Sequence, residues 1–144
     1  MDEQHLKAVG LKVTTPRMRI LTLLNELEQP HVSAEQVYQI LRDHGEDIGL
    51  ATVYRVLTQF EQAGLVERHF FDGNQAVFEL AADDHHDHLV CLDCGKVMEF
   101  TNDVIESEQE KIAKKLGFHL MDHTLHLYGE CKKKNCEHKV DKAE

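Results

Sequence analysis

Four cysteines lie in two closely spaced pairs. Two residues separate Cys91 from Cys94, and four residues separate Cys131 from Cys136. A turn between Cys91 and Cys94 would direct both thiolates at one ion, and four thiolates around a tetrahedron favour zinc without an open coordination position. Buried thiols or a redox pair are the alternatives, but metal ligation is the better interpretation in a reducing compartment. We therefore expect a structural zinc site that stabilises the second half of the chain.

The densest run of metal-ligating side chains is His85-His86-Asp87-His88. If this run is a strand, His86 and His88 share one face, while His85 and Asp87 share the other, so that one strand serves two separate sites. Nitrogen and carboxylate ligands suit Fe(II), Mn(II), Co(II) or Zn(II), and affinity alone does not choose among them. Spacing does not assign the further candidate ligands, which are His31, Glu79, Glu99, Glu106 and His123.

An enzyme is an alternative interpretation of this run, because catalytic zinc often uses two histidines and a carboxylate. The sequence contains no His-Glu-x-x-His motif and offers no general base that is not also a candidate ligand. A solvated polar loop is the other alternative. We expect a metal-binding protein that is not an enzyme.

Helical signals precede the ligand-rich half. Thr15 and Pro16 predict a helix start with Thr15 as the cap, and Ser33 with Gln36 predicts a capping box at a second helix. A third helix is predicted to begin near Leu50, with its apolar residues at core spacing. These apolar residues are Val53, Val56, Leu57 and Phe60.

A short hairpin is predicted after the three helices. Strand-like residues 65–71 and 76–80 flank the turn signal Asp72-Gly73-Asn74, which is the pattern of a winged helix-turn-helix. Beyond it, strands are predicted over 85–91, 97–100, 118–121 and 123–128, with a helix from the cap Asn102 to Leu116.

The predicted fold class is α+β. It comprises an N-terminal winged helix-turn-helix domain over residues 1–81, a hinge at 82–84, and a small α/β domain that contains the metal ligands over 85–136. A charged, mobile tail is expected over 137–144.

The charges are unevenly distributed along the chain, and this bears on whether the protein binds nucleic acid. The net charge of −10 argues against DNA binding, but residues 4–25 and 48–60 contain no acid and would form a locally positive surface. Candidate contacts to phosphate or a minor groove are Lys12, Arg17 and Arg68. The third helix presents hydrogen-bonding groups suited to the major groove, although a solvated helix face explains them equally well when taken alone. These groups are Thr52, Tyr54, Arg55, Thr58 and Gln59.

The expected location is the cytoplasm. No apolar run approaches the length of a membrane span, and the N-terminal residues lack the basic and apolar regions of a signal peptide.

A set of short segments extends over nearly the whole chain. The longest is Gly-Leu-Ala-Thr-Val-Tyr-Arg-Val-Leu at 49–57. The others are residues 10–14 with Pro16 and Arg17, His-Val-Ser-Ala-Glu at 31–35, Val-Phe-Glu-Leu at 77–80, the His-His-Asp-His run leading into Cys91-x-x-Cys94-Gly95, and Leu-Tyr-Gly at 127–129 with the last two cysteines. Together these segments resemble the ferric uptake regulator family.

The resemblance implies three metal sites in each chain. The residues matching the regulatory site are His31, Glu79, His86, His88 and Glu99. The residues matching a second site in the dimerisation domain are His85, Asp87, Glu106 and His123. The residues matching the structural zinc site are Cys91, Cys94, Cys131 and Cys136.

The resemblance also implies a function. Members are homodimers that repress genes when loaded with metal, and Tyr54, Arg55 and Lys12 match their DNA-contacting positions. Glu79 and Glu99 stand where peroxide sensors tend to have aspartate, which favours an Fe(II)-responsive repressor of iron uptake genes acting on double-stranded operator DNA. Mn(II), Co(II) or Zn(II) would substitute for Fe(II). The sequence leaves open a zinc- or manganese-responsive repressor, a metal buffer or storage protein, and the pairing of dimers into tetramers.

The order of the ligands suggests a hypothesis for the mechanism. His31 and Glu79 precede the predicted hinge, whereas His86, His88 and Glu99 follow it. One ion bound by both groups would fix the hinge angle and thereby the spacing of two recognition helices in a dimer, which must match the spacing of DNA half-sites.

Overall fold

The computed structural model describes residues 1–71, 75–82 and 85–131. The chain divides into two compact units, Met1–Ala82 and Asp83–Glu144, called here the N-terminal and C-terminal units. The predicted domain and hinge boundaries remain predictions. The predicted hairpin turn at 72–74 and the predicted tail at 137–144 lie outside the described residues.

In the N-terminal unit, residues 1–71 and 75–82 form four helices and a three-stranded antiparallel sheet. The helices are α1 (Glu3–Ala8), α2 (Thr15–Glu26), α3 (Ala34–Asp43) and α4 (Leu50–Gln62). The strands are β1 (Val32–Ser33), β2 (Val66–His69) and β3 (Val77–Leu80), in the order β1-β3-β2. Helices followed by a β2–β3 hairpin confirm the winged helix-turn-helix.

Helix caps fix where these elements start. The predicted capping box is confirmed, because the Gln36 N–H donates to Ser33 Oγ at 3.1 Å and the Ser33 N–H donates to Gln36 Oε1 at 2.8 Å. The predicted cap of α2 is wrong by one residue. Thr14 is the cap, and its hydroxyl accepts the Arg17 N–H at 3.4 Å, so Thr15 is already helical.

The core of the N-terminal unit lies between α2, α3, α4 and one face of the sheet. The predicted apolar stripe of α4 is confirmed, since Val53, Val56, Leu57 and Phe60 are all buried. Phe78 on β3 is fully buried as well. The opposite, polar face of α4 is thereby turned outward.

Two elements of this unit were not predicted. The α1 helix starts at the Asp2 cap and buries Leu6, and β1 consists of only two residues paired with β3. Both are short, so their hydrophobic periodicity is too weak to detect in the sequence.

The described residues of the C-terminal unit, 85–131, form a three-stranded sheet and one helix. Its elements are β4 (Asp87–Cys91), β5 (Val97–Phe100), α5 (Asp103–Lys115) and β6 (His126–Gly129). The central β4 pairs antiparallel with β5 and parallel with β6. The cap of α5 is Asn102, as predicted, and Gly117 follows the helix with a φ of +86°.

The strands β2 and β3 are shorter than the predicted 65–71 and 76–80. In the C-terminal unit, one predicted strand does not form and two strands have other bounds than predicted. The strand at 118–121 is wrong, because Gly117 turns the chain so that the Phe118 N–H closes the helix end on the Ala113 carbonyl at 2.8 Å. The strand β4 begins at Asp87 rather than at His85. The strand β6 covers residues 126–129 rather than 123–128.

One face of the C-terminal sheet is apolar and exposed in the single chain. Leu89 is the register partner of both Met98 and Leu127, and the three side chains are 40%, 51% and 42% exposed. Helix α5 buries none of its residues within this chain. Among the described residues, no helix is both long and apolar enough to cross a membrane.

Candidate metal centres and DNA-facing surface

The first cluster of ligands lies on the sheet face of the N-terminal unit that points away from its core. We call it the N-terminal cluster, and it contains His31, Glu67, His69 and Glu79. Glu79 is central, with Oε2 at 2.8 Å from His31 Nε2 and Oε1 at 2.7 Å from His69 Nε2. The Glu79 side chain is only 2% exposed, and a buried carboxylate needs polar partners, two of which are these imidazoles.

Strand register explains this cluster. Glu67 is the Cα partner of Glu79, and His69 lies two residues further along β2 on the same face. The His69 ring stacks on Phe71 with centroids 5.1 Å apart, and its Nε2 lies 3.6 Å from Glu67. Sequence reasoning found His31 and Glu79 but missed Glu67 and His69, which only the alternation along residues 66–69 could have indicated.

A second group of ligands crosses the sheet of the C-terminal unit. His88 on β4 is the Cα partner of Glu99 on β5 and of His126 on β6. Paired residues point to the same side of a sheet, so the three side chains form one row, called here the histidine row. His86 lies beside it, with Nε2 at 3.5 Å from Glu99 and its ring 4.9 Å from that of His88.

The third group lies where α5 meets the start of β4. We call it the α5 cluster, and it contains His85, Asp87, Glu106 and His123, whose ligand atoms all lie within 4.8 Å of one another. Asp87 is completely buried, with Oδ1 at 3.0 Å from His85 Nε2 and 3.7 Å from His123 Nε2. Glu106 Oε1 lies 3.6 Å from His85 and 3.4 Å from His123.

The polar atoms of the α5 cluster fit a metal ion. Asp87 Oδ2, Glu106 Oε1 and His123 Nε2 are buried, and none of these atoms makes a hydrogen bond with the part of the chain that the structure describes. Buried polar atoms normally have a partner. Two imidazoles and two carboxylates directed at one another form a donor set suited to a first-row divalent metal.

The period-two argument for residues 85–88 agrees with these contacts. Asp87 joins the α5 cluster together with His85, whereas His88 belongs to the histidine row beside His86. Although His85 and His86 precede β4, they follow the faces set by Asp87 and His88.

Three cysteines come together at one end of the C-terminal sheet. Cys91 ends β4 as the Cα partner of Gly129, and Cys131 follows two residues later. The N–H of Cys94 is the main cause that lowers the pKa of the Cys91 thiol to about 7, against the opposing effect of burial, and the N–H of Cys131 also contributes. A lowered pKa favours the thiolate, which is the form that binds metal. The fourth predicted ligand, Cys136, lies outside the described residues.

The DNA-facing candidates lie around α4. Arg17 donates to Gln59 Oε1 from Nε at 3.3 Å and from Nη2 at 3.0 Å, and to the Lys12 carbonyl from Nη1 at 2.7 Å. The side chains of Lys12 and Arg55 are exposed, and Thr52 is half-buried. Arg17 thus connects the segment before α2 to the polar face of α4.

A second polar network holds Tyr54. Its hydroxyl donates to Glu35 Oε1 on α3, and Gln75 donates to Glu35 Oε2 at 3.1 Å. The hydrogen bond from Tyr54 lowers the pKa of Glu35, and the same bond raises the pKa of Tyr54. Tyr54 remains 40% exposed on the outward face of α4.

The guanidinium of Arg68, like that of Arg17, is engaged within the N-terminal unit. Nη2 donates to Thr58 at 3.1 Å and lies 3.3 Å from Glu61, and the guanidinium carbon lies 5.1 Å from the centre of the Phe78 ring. Its predicted contact with DNA remains a prediction.

The fold and these side-chain groups define a metal-binding protein of the winged-helix regulator class. A model described as the Ferric uptake regulator family matches residues 8–128. The ferric uptake regulation protein of Yersinia pestis is 60% identical over 135 residues, which cover 94% of this chain and 91% of that protein. The protein of the same description from Escherichia coli (strain K12) is 58% identical over 131 residues, which cover 91% and 88%.

Solved structures agree with this match. The Vibrio cholerae ferric uptake regulator has a TM-score of 0.81 at 58% identity, with 89% of this chain and 98% of that chain covered. The Pseudomonas aeruginosa ferric uptake regulator with manganese has a TM-score of 0.80 at 56% identity, with 92% and 99% covered. The chain belongs to the ferric uptake regulator family, whose members regulate transcription.

Proposed function

We propose that this protein is a metal-dependent DNA-binding repressor, responsive to Fe(II), that controls iron uptake genes and has no enzymatic activity. The observation that carries the proposal is the assembly of imidazole and carboxylate ligands in a chain 60% identical to a ferric uptake regulation protein. Such a regulator would act in the cytoplasm, where its operator DNA is.

Three ligand sets would hold the metal ions. The regulatory set is His31, Glu79, His86, His88 and Glu99. The second set is His85, Asp87, Glu106 and His123. The structural zinc set is Cys91, Cys94, Cys131 and Cys136. Solved relatives support this number and chemistry. One regulator is described with three functional metal binding sites. A second regulator is described with iron, and a third with manganese.

Bound metal would supply positive charge and fixed coordination geometry, and the chain supplies the ligands. Fe(II) is the proposed regulatory ion, and Mn(II), Co(II) or Zn(II) can take its place because the donor set accepts all of them. The regulatory ligands come from segments before and after residues 82–84. The hypothesis formed from the sequence, that one ion takes ligands from both segments, remains a prediction.

Operator DNA would contact the outward face of α4 and the positive groups beside it. The proposed contacts are Lys12, Arg17, Thr52, Tyr54, Arg55 and Arg68. The half-buried and exposed positions on α4 suit base edges in the major groove, while Lys12 lies in the segment before α2 and Arg17 in the first turn of α2.

A second copy of this chain would cover the apolar sheet face of the C-terminal unit. The row Met98–Leu89–Leu127 and the α5 residues Val104 (70%) and Ile112 (57%) are apolar and exposed in the single chain, and contiguous exposed apolar surface marks interaction sites. A homodimer would bury this surface and give the two-fold symmetry that paired half-sites require. Measuring the mass of the protein bound to operator DNA would distinguish a dimer from a pair of dimers.

Operator binding by the chelator-treated protein tests the proposal. The protein is titrated without oxygen with Fe(II), and in parallel with Mn(II) and Zn(II), at one fixed salt concentration. Sequence-specific binding that appears with Fe(II) or Mn(II) supports the proposed repressor. If operator binding responds only to zinc, and at much lower concentrations, the protein is assigned to zinc homeostasis instead. Metal binding without any specific DNA affinity indicates a buffer or storage protein, and equal operator affinity with and without every metal overturns the metal gating.

His88→Ala tests the regulatory ligands directly. His88 is a proposed regulatory ligand and belongs to none of the cysteine pairs, so we expect the variant to lose metal-dependent operator binding while it retains the cysteine-bound zinc. His119→Ala is the matched control, because His119 is exposed. An unchanged metal response of the His88 variant would contradict the proposed regulatory site.

A further inference from the structure

His69 belongs to none of the sequence motifs that indicate metal ligands, yet its imidazole reaches the buried carboxylate of Glu79. It lies on β2 and shares its sheet face with Glu67, which is the Cα partner of Glu79 on β3. His69 is therefore the diagonal neighbour of Glu79, a distance that a long side chain can cross. The side chain of His69 is only 9% exposed, so its imidazole is almost entirely enclosed.

The two carboxylate oxygens of Glu79 have different neighbours. Oε2 lies 2.8 Å from Nε2 of His31, which is a proposed regulatory ligand, whereas Oε1 forms a hydrogen bond of 2.7 Å with Nε2 of His69. A carboxylate only accepts hydrogen bonds, so Nε2 of His69 carries a hydrogen and donates it to Oε1. A carboxylate that binds an ion through one oxygen still needs a donor for its other oxygen when it is buried. His69 supplies that donor.

Phe71 holds both imidazoles in place. Its ring is stacked on that of His69, with centroids 5.1 Å apart and planes 17° apart. The same ring meets that of His31 edge-on, with centroids 5.5 Å apart. Packing against an aromatic ring restricts the rotation of the His69 side chain, so the direction of its hydrogen bond to Glu79 is fixed.

A second carboxylate shows why a donor is needed at this place. Glu67 lies directly opposite Glu79 in the strand pairing, and like charges at paired positions repel. Nε2 of His69 lies 3.6 Å from Oε2 of Glu67, which is too long for a hydrogen bond, so Glu79 is its acceptor. Glu67 is 52% exposed and can be solvated by water, whereas Glu79 is 2% exposed and depends on donors from the protein.

We propose that His69 is a positioning residue of the regulatory site: its hydrogen bond to Oε1 of Glu79 keeps Oε2 beside Nε2 of His31, where both atoms can bind the regulatory ion. His69 itself is not a ligand. Carboxylate ligands are held by such outer hydrogen bonds, and the loss of one lowers metal affinity about 10- to 100-fold. The proposal rests on the proposed function, because it takes His31 and Glu79 to be regulatory ligands.

Three substitutions that differ in donor and reach test the role of His69. His69→Gln places an amide NH₂ close to the position of Nε2, His69→Asn carries the same amide on a side chain one methylene shorter, and His69→Leu has no donor. The parent is the full-length, zinc-containing protein with Glu106→Gln, which weakens Co(II) binding at the α5 cluster. We expect the Asn and Leu variants to bind Co(II) about tenfold or more weakly in chelator competition, and the Gln variant to stay within about threefold of the parent.

Two further measurements distinguish positioning from ligation and from a general effect on folding. At saturating Co(II), His69→Gln should show the visible spectrum of the parent, because the ligand atoms are unchanged. Half-maximal operator binding should need about tenfold more Co(II) in His69→Asn, with the parent's operator affinity at saturation. His119→Asn, at an exposed histidine, is the control and should match the parent. Variants are compared when their circular dichroism and zinc content equal those of the parent.

A folded His69→Asn variant with the parent's Co(II) affinity would overturn the proposal. Equal losses in the Gln and Asn variants would also overturn it, because His69 would then act as a ligand or through packing. His31→Ala separates the two proposals. If this variant loses Co(II) affinity and the His69 variants do not, the regulatory site stands and the positioning role falls. If operator binding by the parent ignores metal while Gln and Asn at position 69 still differ in Co(II) affinity, the proposed function falls and the positioning of Glu79 stands.

Discussion

Arg17 donates two hydrogen bonds to a single oxygen of the Gln59 amide, at 3.3 and 3.0 Å, and so connects the start of α2 to the outward face of α4. Arginine has only donors, so the amide oxygen of Gln59 must face the guanidinium. The NH₂ group of Gln59 therefore points away from Arg17. In this orientation Gln59 can offer donors, and not an acceptor, to a base edge.

Gln59→Glu tests this orientation. The carboxylate keeps the partnership with Arg17, so we expect the melting temperature to stay within a few degrees of the parent. The donors are lost and a negative charge faces the groove, so operator affinity should fall about tenfold or more at saturating metal. Fluorescence anisotropy with labelled operator measures the affinity. Gln62→Glu, near the end of the same helix, is the control for added charge, and equal losses in both variants would refute a specific role for Gln59.

Two substitutions of Glu35 test its negative charge and its positioning of Tyr54 separately. The hydrogen bond from Tyr54 lowers the pKa of Glu35, so this carboxylate remains charged at neutral pH beside the proposed DNA surface. Glu35→Gln keeps an acceptor for the Tyr54 hydroxyl and removes the charge, so operator affinity at low salt should rise about two- to fivefold. Glu35→Ala releases Tyr54, and the ratio of operator to nonspecific binding should fall. Identical specificity ratios in the two variants would mean that Glu35 does not position Tyr54.

The α5 cluster is tested by two glutamates on one helix. Glu106→Gln removes a ligand whose Oε1 lies 3.4 Å from His123, and we expect one metal ion fewer in each chain. Glu110→Gln, about one turn further along α5 and exposed, should leave the metal content unchanged. Elemental analysis after equilibrium dialysis against Zn(II) or Mn(II) gives the count. Equal metal content in the two variants would exclude Glu106 as a ligand.

The cysteine site is tested by removing single thiols. Cys94→Ser should release the structural zinc and abolish the cooperative unfolding of the C-terminal unit, because such sites contribute much of the stability of a small domain. Zinc content and thermal unfolding are the measurements, with the N-terminal unit expected to keep its helices. Cys136→Ser then determines whether the fourth proposed thiolate is a ligand. A Cys136 variant that retains zinc at the parent's affinity would assign the site to three cysteines and another donor.

Local sequence signals predicted the elements with strong periodicity. The capping box at Ser33 and the apolar stripe of α4 follow from contacts within one helix turn or two, and both are confirmed. The strand predicted at 118–121 is wrong because a helix-ending glycine and its hydrogen bond decide the backbone there. Apolar composition alone does not contain that information.

The ligand clusters were predictable to the extent that their members are neighbours in the chain or match the family. Period two divided residues 85–88 between two faces before any strand was seen. His69 and His126 escaped because their partners are brought to them by strand pairing, with Glu79 on β3 and His88 on β4. Register between distant strands is set by the whole sheet and leaves no mark in residue spacing.

The histidine row has a consequence for how the C-terminal unit folds. A slip of one residue in the pairing of β4 would turn His88 to the opposite face and bring Asp87 into line with Glu99 or His126. Such a mispaired sheet would separate His88 from Glu99, two of the proposed regulatory ligands, so an ion present during synthesis would stabilise only the native pairing. Metal supply would then influence how many chains mature correctly, as well as how many mature chains bind DNA.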